Sequence, residues 1–222
     1  MCGRYHLDAD ARELAGIISE LNRREEKHGG DKPLKTSGDL YPGDRVPVLC
    51  RGRSGGIGAF AMEWGYHMDG RLLINARLET AAQKPSFRDG MRSRRCLMPM
   101  SAYYEWEKRG NDRVKYRIAP KAEGLRCLAG IYRLEETGPV CTVLTMEAAQ
   151  ELRFIHDRMP VLVPYVAGEA WLLRGELPPP PSAWTAWRSP PPAASGPPWG
   201  ILPARPAWSS PLRRTPSAPP GP

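Results

Sequence analysis

The chain has 222 residues, 41% hydrophobic and 25% charged, ordinary proportions for a soluble protein able to bury one sizeable core or two small ones. No apolar run approaches the roughly 18 to 20 residues that span a bilayer, and Met1-Cys2-Gly3-Arg4-Tyr5-His6 has no apolar stretch to act as a secretion signal, so the expected compartment is the cytoplasm. The formal charge of +8 and a pI near 9.4 suggest a polyanionic partner, but Arg188, Arg205, Arg213 and Arg214 lie in a C-terminal stretch without carboxylates, and the balance without them is only +4.

Periodicity predicts many short strands and few helices. Residues 10–24 place Leu14, Ile17, Ile18 and Leu21 at helical spacing, with Asp8 or Asp10 available as a cap and Gly29-Gly30 closing the charged stretch that follows. Strand-like runs cover residues 46–50, 57–62, 72–76, 95–98, 114–118, 127–134 and 141–146. Turn signals separate them at Tyr41-Pro42-Gly43-Asp44, residues 53–56, Gly110-Asn111-Asp112 and Thr137-Gly138-Pro139. Residues 147–155 read as a helix, 161–163 as a strand and 166–173 as a further helix. The expected fold class is α+β: a β-rich single domain over residues 1–177, with a curved, barrel-like antiparallel sheet and flanking helices.

The composition changes at Pro178. Residues 178–222 hold 16 of the 25 prolines, together with Trp184, Trp187, Trp199 and Trp208. Such a segment is expected to bury too little apolar surface to offset its ordering entropy, and it reads as a disordered tail. Two origins stay open, a genuine Pro-rich tail and a C-terminus read out of frame from GC-rich coding sequence.

Of the five cysteines, Cys2, Cys50, Cys96, Cys127 and Cys141, none forms a C-x-x-C pair and none has a histidine at zinc-finger spacing. They read as free thiols, with no metal site expected. Cys2 stands apart by position. Removal of Met1 would leave an α-amine beside a thiol on one residue, and such an aminothiol condenses with an aldehyde to a Schiff base that the sulfur closes into a thiazolidine. The same pair could attack an amide, or Cys2 could simply begin a buried strand.

Three further clusters carry chemistry. Asn75 and Arg77 end an apolar strand, where they suit a sugar or carbonyl oxygen and a phosphate; the plain alternative is a strand-to-helix turn. Glu105 sits between Tyr104 and Trp106, surroundings that favour acid–base work, unless it lies on the wet face of an alternating strand. His156 could shuttle a proton and Arg158 could bind phosphate, although a satisfied structural histidine fits the same position.

Taken together, Met1-Cys2-Gly3-Arg4-Tyr5, Asn75-Ala76-Arg77-Leu78-Glu79-Thr80, the run from Arg95 to Trp106 and His156-Asp157-Arg158-Met159-Pro160 resemble the SOS-response-associated peptidase (SRAP) family, as do Trp64-Gly65-Tyr66, Tyr41-Pro42 and Thr145-Met146-Glu147-Ala148. The resemblance covers roughly residues 1–173. It implies a β-barrel-like enzyme of the DNA damage response that needs no cofactor and whose partner is single-stranded DNA containing abasic sites. It also implies that Cys2 crosslinks to the lesion's aldehyde as a thiazolidine. In that scheme Asn75 positions the cysteine and sugar, Glu105 assists ring opening and His156 acts on the sugar hydroxyl. Arg4, Arg77, Arg158 and Trp106 fall on the DNA-binding face, and a monomer is expected. An N-terminal-cysteine thiol peptidase and a non-covalent single-strand-binding module are the competing readings. Three departures stand out: residues 67–71 form a shorter loop lacking a tryptophan, the usual last strand motif is absent, and Ala102 replaces a glycine, which matters only if that position needs positive φ.

Overall fold

The computed structural model describes residues 2–8, 12–28 and 32–188, apart from the side chains of residues 12, 27 and 28. In chain order the strands are β1 (Tyr5–Leu7), β2 (Gly38–Leu40), β3 (Arg45–Arg51), β4 (Ile57–Trp64), β5 (Tyr66–Met68), β6 (Arg71–Leu73), β7 (Asn75–Arg77), β8 (Arg95–Met100), β9 (Ala102–Arg109), β10 (Asp112–Pro120), β11 (Arg126–Glu135), β12 (Gly138–Glu147), β13 (Arg158–Pro160), β14 (Leu162–Pro164) and β15 (Trp184–Arg188). Three helices accompany them, α1 (Arg12–His28), α2 (Leu78–Ala81) and α3 (Pro85–Ser93).

Five strands close into a barrel in the order β12-β4-β3-β8-β11, with β11 returning to β12. Long apolar runs, buried over consecutive positions in β3, β8, β11 and β12, are what make closure feasible. Such runs bury both faces of the strand, one toward the barrel interior and one under the surrounding elements, and closing the sheet removes its edges. The β-rich, barrel-like expectation is met, with one addition: β12 runs parallel to β4 and to β7, so the assembly is not wholly antiparallel. Outside the ring, β13 extends the sheet beyond β12 and β14 pairs with β11. A second sheet, β15-β10-β9-β1-β2, carries the N-terminal segment. Both sheets share one apolar core, in which Trp64, Trp171, Tyr5, Tyr66 and Tyr103 are the largest fully buried side chains.

Helix α1 follows its periodicity: Leu14, Ile17 and Leu21 are buried, and the helix packs on β3 and β4. Helix α3 begins with Pro85 at its first turn and buries Phe87 and Gly90; a Cβ on Gly90 would lie 2.9 Å from the Ile131 Cβ. Among the described residues no helix is long and apolar enough to cross a membrane.

Several expectations are corrected. The run 72–76 breaks at Ile74, because β6 pairs with β5 whereas β7 pairs with β12. The helix expected over 147–155 reduces to a 3-10 turn, Gln150–Leu152, since β12 continues through Glu147. The helix expected over 166–173 is a 3-10 turn, Tyr165–Ala167, followed by a π-helical turn, Ala170–Arg174, that ends at left-handed Gly175.

The tail boundary at residue 177 also moves. Trp184–Arg188 forms β15, paired with β10 from Tyr116↔Arg188 to Pro120↔Trp184. Trp184 is buried and meets the Tyr103 ring edge-on at 6.3 Å, so one large aromatic offsets what the surrounding prolines cannot supply. This strand covers the edge of β10 that the missing motif was expected to leave open. The rest of the expected tail, residues 189–222, lies outside the described residues. Ala102 pairs with His6 inside β9 and has no positive φ; Asp69, in the tight Asp69-Gly70 turn of the β5–β6 hairpin, is the one described non-glycine that does.

Candidate active site

Cys2 lies just before β1 and is fully buried. Strand β1 runs antiparallel to β9, with Tyr5 opposite Tyr103 and the Tyr104 N–H donating to the Arg4 carbonyl at 2.9 Å. Continuing that register sets Gly3 opposite Glu105, and the buried Glu105 carboxyl is close enough to the neighbouring Cys2 to act on its thiol. Burial pushes the Cys2 thiol far above its usual range, and the negative charge of Glu105 pushes it the same way. The thiol lies 3.8 Å from the Arg4 carbonyl oxygen.

Asn75 reaches the same residue from the other sheet. Its Nδ2 donates to the Cys2 carbonyl at 2.9 Å. Trp64 underpins this contact from both sides: its indole N–H donates to the Ile74 carbonyl at 3.1 Å, and its ring meets Tyr5 edge-on at 5.3 Å. One buried side chain thus fixes the residue preceding Asn75 and the strand following Cys2.

Strand β12 organises the remaining candidates. Val143 pairs with Asn75 and Thr145 with Arg77 on one side, and Glu147 pairs with Arg158 on the other. His156 precedes β13, and its Nδ1 accepts from the Arg158 N–H at 2.9 Å, which leaves the proton of the neutral ring on Nε2. The exposed Asp157 carboxylate lies 2.8 Å from the same nitrogen and bonds to it only when that nitrogen is protonated, so the two contacts belong to different protonation states. Phe154, from the same loop, meets the Tyr116 ring at 5.7 Å, and Tyr116 is the cross-strand partner of Glu105. Three segments distant in sequence therefore converge around β9.

The expected phosphate ligands differ in their surroundings. Arg77 is exposed. Arg158 is committed to protein partners: its guanidinium forms a two-point ion pair with Glu79, both bonds at 2.8 Å, and donates to the Thr145 carbonyl at 2.7 Å. This pairing holds the Glu79 carboxyl below its usual range. The Arg4 guanidinium lies 4.5 Å over the Tyr41 ring and 5.5 Å from the Trp106 ring, with the Asp39 carboxylate at 4.0 Å. Lys115 Nζ sits 3.9 Å over Tyr104. Tyr41, Tyr104 and Lys115 extend the patch of Arg4 and Trp106, and the sequence reading assigned them no part in it. Counting back from the Gly110-Asn111 turn would have set Lys115 opposite Trp106. Among the described residues, no group of three or more His, Cys, Asp or Glu side chains could hold a metal ion.

The family model for SOS response associated peptidase (SRAP) matches residues 1–189. The chain belongs to the SRAP family. The match extends past β15, so the last strand lies within this SRAP domain. Among relatives, the abasic site processing protein YobE of Bacillus subtilis is 30% identical over 186 residues, covering 78% of this chain and 82% of its own length. YoqW of the same organism, also named an abasic site processing protein, is 30% identical over 186 residues and is covered to 80%. A crystal structure of a Bacteroides thetaiotaomicron protein shares the SRAP fold seen here, with a TM-score of 0.66 at 21% identity, covering 84% of this chain and 91% of that one.

Proposed function

We propose that this SRAP protein processes abasic sites in single-stranded DNA, with Cys2, freed of Met1, capturing the lesion covalently. The observation that carries this reading is the carboxylate beside the thiol. A thiol peptidase needs its sulfur as thiolate, activated by a nearby cation. Glu105 and burial act in the opposite sense on Cys2. Aldehyde capture tolerates a neutral thiol, because the amine reacts first.

Glu105 takes the proton of the sugar's anomeric hydroxyl as the ring C–O bond breaks, and the ring oxygen is protonated to release the open-chain aldehyde. The Cys2 amine, with an ordinary pKa of about 7.7 to 8.0, adds to the aldehyde carbon, and loss of water gives the Schiff base. The thiol adds to the imine carbon and its proton passes to nitrogen, closing the thiazolidine; one water is released overall. Asn75 holds the Cys2 carbonyl, limiting where amine and sulfur can point. His156, with its neutral-form proton on Nε2, serves the sugar hydroxyl and the return reaction. Arg4, Arg77 and the Trp106 face hold backbone and bases without reading sequence. Arg158 contributes to phosphate binding only in competition with Glu79.

The test is incubation with an abasic single-stranded oligonucleotide, followed by a denaturing gel. A band that survives denaturation in the wild type and is lost in Cys2→Ala supports capture. Peptide cleavage without such a band would favour the peptidase, and a salt-sensitive shift alone would favour non-covalent binding. Either result overturns the proposal, as does finding Met1 retained in active protein by mass spectrometry.

A further inference from the structure

The end of α1, the β3–β4 hairpin and the β11–β12 hairpin enclose a cleft of about 430 Å3 that shares no residue with the candidate active site. Four arginines line it. Two are neutralised: Arg45 by a two-point pair with Glu25 at 2.7 and 2.8 Å, and Arg24 by Glu20 at 2.6 Å. The other two, Arg51 and Arg53, are exposed and have no carboxylate partner among the described residues. They flank Gly52, whose N–H and carbonyl bond to Gly56 and Gly55, so a closed turn presents both guanidiniums.

Apart from Glu25, which Arg45 neutralises, and the Tyr132 hydroxyl, the rest of the cleft is apolar. Leu134, in its wall, is 65% exposed, and Ile57, outside the lining but the cross-strand partner of Arg51, is 43% exposed. Two large aliphatic side chains in water beside two guanidiniums with no carboxylate partner among the described residues form an amphipathic patch. Cys50, at the floor, has its thiol pushed up to about 11 chiefly by burial, so it stays neutral and does not repel an anion.

We infer that this cleft docks an acidic peptide segment carrying a bulky apolar side chain, its carboxylates on Arg51 and Arg53 and its apolar group against Leu134. Forked guanidinium–carboxylate pairing suits the two cations. Aliphatic walls suit a side chain better than a base; of the two aromatic rings in the lining, Phe60 already has the Arg24 guanidinium 4.3 Å over it, and Tyr132 is half-buried and bonded to Cys50. Neither ring stands as a fully exposed platform of the kind on which successive bases of single-stranded nucleic acid stack.

Fluorescence anisotropy with a fluorescein-labelled Asp-Asp-Asp-Asp-Ile-Leu-Phe peptide tests this on the full chain. Saturable binding is expected, weakened when serines replace the aspartates and when salt is raised. The double variant Arg51→Glu, Arg53→Glu should lose at least about tenfold in affinity. Leu134→Ser should lose about fivefold. Both changes are at the surface, and unchanged thermal melting checks that the fold persists. Undiminished peptide affinity in the double variant, or no saturable binding to the wild type, overturns the inference. So does a labelled oligothymidylate whose affinity falls in the double variant while the peptide's does not, which would make the cleft a nucleic-acid site.

Discussion

Cys2 is surrounded so as to keep its sulfur protonated, and that decides which of its two nucleophiles can open a reaction. Glu105 is the residue through which the alternatives separate. Replacing it by Gln removes a negative charge next to the thiol, which makes Cys2 more acidic. A thiolate-dependent peptidase would then speed up. In aldehyde capture the same change removes the group that takes the anomeric proton, and the rate is expected to fall about 10²- to 10⁴-fold. Single-turnover capture of an abasic oligonucleotide, alongside the pH dependence of Cys2 alkylation in the processed protein, checks both directions. The residues in this argument were legible because each carries an uncommon side chain in a telling place: a cysteine at position two, a carboxyl between aromatics, an amide ending an apolar strand. Tyr41 and Lys115 were not, because their relation to Arg4 arises only from strand pairing and side-chain direction.

Strands with long apolar runs beside clear turns, such as β3, β4, β11 and β12, coincide with their sequence patterns to within a few residues. Elements of three residues, β1, β2 and β5, are too short to show a period and owe their existence to neighbours. Strand β15 was hidden by composition: the prolines on either side outweighed a W-T-A-W run whose first ring has a place in the core. Helix α2 illustrates how a short element serves the site. It carries Glu79, which neutralises Arg158 of β13 across β12, and so ties together the two strands that present Arg77 and the His156 loop. Glu79→Gln leaves Arg158 uncompensated. Single-stranded DNA should then bind more tightly, and the plot of log affinity against log salt should steepen by up to about 0.7 as one more phosphate is neutralised. An anisotropy titration over a salt series measures that slope; an unchanged slope would mean that Arg158 never reaches the strand.

Across the whole molecule, two stability limits follow from what the core contains. The thiols of Cys96, Cys127 and Cys141, like that of Cys2, are raised by burial above the ordinary value of 9.0, so the folded chain keeps protons that the unfolded chain loses as pH passes about 9. The unfolded state then binds fewer protons and stability falls with rising pH: thermal melting under reducing conditions should hold steady near neutrality and decline from about pH 9 upward. The second limit is β15. Trp184→Ala is expected to cost about 3 to 5 kcal/mol in urea unfolding, because it empties a site against Tyr103 on the sheet that carries the Cys2 segment. The barrel itself is joined unevenly. Between β4 and β12 only Val140↔Glu63 and Cys141↔Trp64 are in register, whereas the neighbouring ladders run for six or more pairs on β3–β4 and β11–β12. That lap, like the equally short one between β3 and β8, parts with few bonds broken. Trp64 is half of it, and the same indole steadies Tyr5 and Ile74, so any breathing of the wall at this latch is felt at once by the cysteine and the asparagine that grips it.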